Sequence, residues 1–314
     1  GRADVTLTVD GQAIRLVRAY ARVELNMDSV EELAVLLTDR PLSPELLDRG
    51  VPLHDLLANA GLAHGLHVSL TGEGRPEGWN VVHPSLSTGC AVCSDWDAAA
   101  TRTAAAVQGR VFTRKPQQTN GHAWSFAGEF HAVVKPGWEA AAEATATPGQ
   151  SAIRRQLRAD GLHFTPDWFF TGALMNPDNV VRFLDAGMPP DTPNPSTGDT
   201  LLLEMLGGDL SVGQQTAVKA LLRRGADANR VSRQGGGTAL ARVYCCADIA
   251  AALLDAGARL DAPSGQADRT AGQALMNTAI VLSKTEVVRL LVARGYPVAA
   301  ERDRLLKDAV GRPE

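Results

Sequence analysis

The chain has 314 residues, more than one compact domain usually needs, and its 45% hydrophobic and 21% charged residues are those of a globular protein. Its net charge is -4, and residues 1–150 hold 12 Lys/Arg and 17 Asp/Glu while 151–314 hold 19 and 18. Neither half carries the basic field of a nucleic-acid binder, and no apolar run approaches the roughly 20 residues of a membrane-spanning helix.

The first ~135 residues read as strands. Val5, Leu7 and Val9 alternate with polar residues, Asp10-Gly11 supplies a tight turn, and Ile14 and Leu16 resume the alternation. Val17, Ala19, Ala21, Val23 and Leu25 continue it, as do Leu33, Val35 and Leu37 and the run Trp124, Phe126, Gly128, Phe130, Ala132, Val134. Ser43-Pro44-Glu45 interrupts them with an N-cap and a first-turn proline, and Leu53, Leu56 and Leu57 add a second apolar stripe. The simplest arrangement is a β-sandwich, or a small barrel, of roughly 8 strands. Between Pro136 and Ser151 the composition shifts, so the expected organisation is a β-rich domain over 1–135, a linker and connecting helix over 136–160, and helical repeats with a C-terminal capping helix over 161–314.

The second half repeats itself. Phe183-Leu184-Asp185-Ala186-Gly187, Leu221-Leu222-Arg223-Arg224-Gly225-Ala226-Asp227, Leu253-Leu254-Asp255-Ala256-Gly257-Ala258 and Leu290-Leu291-Val292-Ala293-Arg294-Gly295 share one pattern. A second recurs in Gly198-Asp199-Thr200-Leu201, Gly237-Thr238-Ala239-Leu240 and Gly272-Gln273-Ala274-Leu275. These paired signatures resemble the ankyrin repeat, without its Pro and His. The resemblance implies helix pairs joined by finger loops, each glycine ending a helix in the left-handed conformation. The fold class expected is therefore α+β multidomain: an N-terminal β-sandwich-like domain followed by an α-helical ankyrin-repeat solenoid.

A solenoid of that family implies a non-enzymatic protein-binding module. Its finger loops would carry the contacts: Asp191 and Asn194; Asp227, Asn229, Arg230, Arg233 and Gln234; Arg259, Asp261, Asp268 and Arg269. Trp79 and Trp96, set among Gly, Glu and Asp, are expected at a contact surface in the β domain. The chain contains no P-loop, no Gly-x-Ser-x-Gly and no His-Glu-x-x-His, and no cofactor or nucleic-acid partner is expected. His64, His67 and His83 precede Cys90-x-x-Cys93, but a zinc site is disfavoured because His64 and His67 would face opposite sides of one strand. Asp95 and Asp97 are too few for a calcium site. Cys245-Cys246 read as core filling.

The resemblance favours another protein as partner, with a bacterial inhibitor or immunity protein that neutralises a toxin as the specific form. The alternatives are a secreted effector or an enzyme using an unrecognised site among His64, His67, His83, Asp95 and Asp97, and a carbohydrate- or surface-binding β domain with the repeats as spacer. A periplasmic or secreted location is favoured over a cytoplasmic one.

Overall fold

A computed structural model describes residues 1–25, 31–47, 52–54, 56, 64–71, 73–90, 95–103, 105–243, 246–267 and 269–310. The chain divides into two compact units, Gly1–Thr145 and Ala146–Glu314.

The first unit is built on one sheet of ten strands: β1 (Arg2–Val9), β2 (Gln12–Leu25), β3 (Glu31–Thr38), β4 (Gly65–Leu70), β5 (Pro76–His83), β6 (Leu86–Cys90), β7 (Trp96–Arg102), β8 (Ala106–Thr113), β9 (Gln117–Thr119) and β10 (His122–Lys135). The order is β6-β5-β4-β3-β2-β1-β10-β8-β7, with β9 beside β10. These neighbours are antiparallel, and a short parallel pairing adds β2 to β10. The β-sandwich expectation is corrected here. Among the described residues the strands form one sheet, which curls until it is nearly closed, and its inward side chains form a single core. Trp79 on β5 lies 4.8 Å, ring to ring, from Trp124 on β10, while Trp96 on edge strand β7 meets Phe126 at 6.4 Å. Aromatic rings fill the interior that curling creates.

Local chemistry explains the curl's turns. Asp10 and Gly11 take φ of 48° and 80°, and Asn120 and Gly121 take 51° and 84°, so both hairpins use two consecutive left-handed residues. Gly128 in β10 crosses β1 so closely that a Cβ there would lie 2.1 Å from the Asp4 carbonyl oxygen. β2 changes its inward face between Leu16 and Ala19, leaving Val17 outside the core, against the simple alternation. Strand β3 is buried on both sides: Leu33, Val35 and Leu37 face the main core, and Ala34 and Leu36 face a smaller cluster with Leu53 and Leu56. That cluster lies beneath the segment opened by α1 (Pro44–Leu47), where Ser43 Oγ accepts the Leu46 N–H at 3.2 Å. Leu57 lies outside the described residues. The first unit ends with α2 (Trp138–Glu143).

The second unit opens with α3 (Pro148–Ala159), started by a Thr147/Gln150 capping box. Then come α4 (Pro166–Met175), α5 (Asp178–Asp185), α6 (Leu201–Met205), α7 (Val212–Arg223), a 3-10 turn Ala239–Arg242, α8 (Ala247–Asp255), α9 (Ala271–Val281), α10 (Thr285–Ala293) and α11 (Val298–Val310). Gly187, Gly225, Gly257 and Gly295 close helices at φ of 95°, 87°, 87° and 83°. The second half of the fold-class expectation is corrected nonetheless. The helical unit is not a clear ankyrin solenoid: the three helices expected to begin repeats are a five-residue helix, a four-residue 3-10 turn and an eleven-residue helix. Thr200 Oγ1, at the N-cap of α6, is buried without a hydrogen-bond partner. Among the described residues no helix is long and apolar enough to cross a membrane.

Candidate functional site

The loops between the helices of the second unit are tied to one another by side chains. Asp199 is buried, and its carboxylate accepts the Ser232 hydroxyl at 2.5 Å and the Arg233 N–H at 2.7 Å. Ser232 Oγ in turn accepts the Gln234 and Gly235 N–H groups, closing a turn over 232–235. Asp191 accepts the Asp227 N–H at 3.0 Å, so the loop at 191 grips the next one. Asn229 repeats this one step on: its Nδ2 donates to the Gly257 carbonyl at 2.8 Å and its Oδ1 accepts the Arg259 N–H at 2.9 Å. Isolated bridges Gly237↔Ser264 and Pro263↔Thr270 complete the bracing.

Those bonds divide the residues expected at the contact surface. Asp191, Asp227 and Asn229 brace the loops, with Asp227 Oδ1 accepting the Asn229 N–H. Asn194 Oδ1 accepts the Ser196 N–H and its Nδ2 donates to Glu204. Arg259 grips Asp261 through two bonds, which hold the Asp261 carboxyl below its ordinary range. Arg230 and Arg269 are half-buried, and Asp268 lies outside the described residues. Val231, Arg233 and Gln234 are exposed at the tip of the braced turn, Val231 at 45%. Arg233 lies across Gly198, where a Cβ would come within 2.8 Å of its Cδ.

The tryptophans are a second correction. Trp79 and Trp96 are 8% and 4% exposed and belong to the barrel core, so they offer no surface to a partner. Their neighbours Glu77, Asp95 and Asp97 are half-buried. The helical unit exposes large apolar side chains instead: Leu174 at 88% and Met175 at 69% end α4, and Val212 at 82% begins α7. The two turns are neighbours, since a Cβ on Gly213 would lie 3.4 Å from Pro177.

The polar residues singled out in the β unit separate into unrelated places. Asp97 pairs with Arg114 at 3.0 Å and Asp95 with Lys115 at 3.4 Å, both as partly exposed ion pairs. His64 pairs with Asp39 at 3.0 Å and its ring lies 5.2 Å from that of His83, whose imidazole is held below its usual value by burial and then by His64. His67 stands apart from both on the outer face of β4, beside His54, and burial pushes its imidazole down to about 3, so it is neutral. The Cys90 side chain and Cys93 lie outside the described residues. Cys246 is disulfide-bonded at the N-cap of α8, which corrects its reading as a core-filling thiol; Cys245 lies outside the described residues.

No protein-family model matches the chain, and no curated protein and no solved structure matches it.

Proposed function

We propose that the helical unit is a protein-binding element whose contact surface is the braced loop series around residues 229–236 and its neighbours. The observation that carries this reading is the buried Asp199 carboxylate beneath the turn over 232–235, which fixes the backbone presenting Val231, Arg233 and Gln234. A loop ordered before association loses little entropy on binding, and Arg is among the residues enriched at interface hot spots. A partner with carboxylates opposite Arg230 and Arg233 and an apolar group opposite Val231 fits this tip. The inhibitor reading is the special case in which that partner is a toxic protein.

A second surface has its own observation: Leu174, Met175 and Val212 are the most solvent-exposed large apolar side chains among the described residues. Affinity capture with three whole-chain baits separates the two surfaces. A protein held by the wild type should be lost from an Arg230→Ala, Arg233→Ala bait whose melting temperature is unchanged, and kept by a Leu174→Ser, Val212→Ser bait. Loss from the second bait alone would move the surface to the apolar turns.

A further inference from the structure

We propose that Glu24, His54 and His67 form a binding site for one divalent transition-metal ion of the zinc class on the outer face of the β unit. One ligand atom from each of the three lies within 4.8 Å of the other two. Two of these side chains come from the sheet, Glu24 from β2 and His67 from β4. The third comes from the segment that covers β3, where Leu53 and Leu56 are buried and His54 between them is exposed.

The polar atoms that converge there are prepared for a ligand. Glu24 Oε1 accepts both the Nε and Nη2 hydrogens of Arg22, at 2.9 and 2.7 Å, and the Leu53 N–H at 2.8 Å. Those three bonds orient the carboxylate and tie it to the residue preceding His54. The other oxygen, Glu24 Oε2, is buried with no hydrogen-bond partner, and so is Nε2 of His67. The Glu24 side chain is 7% exposed and His67 is 5% exposed. Buried polar atoms of this kind are almost always satisfied, and two on one cluster is a pattern that a cation resolves. Arg22 and the Leu53 amide stand where outer-shell donors stand around a ligating carboxylate.

Chemistry narrows the ion. Two imidazole nitrogens and one carboxylate oxygen suit zinc and its neighbours, whereas calcium and magnesium take shells of oxygen. Three protein ligands leave a coordination position for water, and the exposure of His54 places it at the surface. Glu32, across from Glu24 on β3, is half-buried and held above the usual carboxylate range first by burial, with Glu24 adding to it and Ser69 and His54 opposing it. It adds negative charge beside the site without belonging to the three-ligand set. Bound metal would clamp the covering segment to two strands of the sheet. This inference is independent of the binding surface proposed for the helical unit.

The test is titration of the tag-free whole chain, stripped with a chelator, with zinc by calorimetry and with cobalt by visible absorption. The expected result is one ion per chain, a cobalt spectrum of nitrogen and oxygen ligands without thiolate charge-transfer bands, and a raised melting temperature on loading. His54→Ala should lower zinc affinity by about tenfold or more while its stripped form keeps the circular dichroism spectrum of the folded wild type. Glu24→Gln should show the same loss, and a His64→Ala, His83→Ala variant should bind as the wild type does. Absence of zinc binding by the wild type, thiolate bands with cobalt, or unchanged affinity in His54→Ala would each overturn the site.

Discussion

At the scale of single residues, Gly225 isolates conformational strain. Its φ is 87° and a Cβ there would meet nothing within 4 Å, so a substitution is penalised by backbone conformation and not by a clash. Gly225→Val is expected to cost more than ~1 kcal/mol in urea melts, and Gly225→Asn less, because Asn tolerates the left-handed region. Equal losses for Val and Asn would show that the left-handed backbone is not the cause. This position was legible in the sequence, since the recurrent Leu-Leu-x-x-Gly spacing marks helix ends. Trp79 was not: its side is decided by which strand it joins, and its ring packs on Trp124, 45 residues away along the chain. His67 was legible only as one of several histidines, because its partner His54 sits on a separate covering segment and Glu24 on another strand.

At the scale of elements, turn chemistry was readable where a two-residue signal sits between alternating runs. Asp10-Gly11 gave the first hairpin, and Asn120-Gly121 carries the same signal before β10. The Ser43-Pro44 helix start and the Thr147/Gln150 capping box also follow from local residues. Strands β5 to β8 were harder, because their inward positions include Ala98 and Ala100 as well as large apolar residues, which weakens the period-two signal. The helical unit carries one further regularity: Asp185 pairs with Arg224, and Asp255 with Arg294, each joining the end of a helix to the end of the second helix after it. The Leu-Asp-Ala-Gly and Arg-Gly endings alternate along the chain in the same order. These partly exposed pairs contribute little individually and set register between neighbouring helices.

At the scale of the whole molecule, the choice between a sandwich and a curled sheet lies in strand order, which no local pattern encodes. The pairing of β1 with β10 joins residues more than a hundred positions apart, and it brings the two runs that alternate most clearly side by side. Charge behaviour gives a global prediction. His67 and His83 are both held below the usual imidazole value, chiefly by burial, so both favour the neutral form in the folded chain. Their contribution to stability is therefore complete above pH about 6.5 and is lost as pH falls below it, at up to about 1.4 kcal/mol per pH unit for a fully shifted proton. Asp248 and Asp261, lowered first by hydrogen bonds from Lys219 and Arg259, act in the same direction only in the carboxylate range, while Glu32, raised by burial, opposes it. Denaturant midpoints of the chelator-stripped chain should fall between pH about 7 and about 5, and a flat profile would show that the imidazoles are not held down. Docking of a partner protein on the braced loops of the helical unit is tested most directly by hydrogen exchange of the whole chain, alone and with its captured partner: new protection should concentrate at residues 229–236 and the adjoining loops, and protection confined to the turns at 174–177 and 206–212 or to the β strands would contradict that docking.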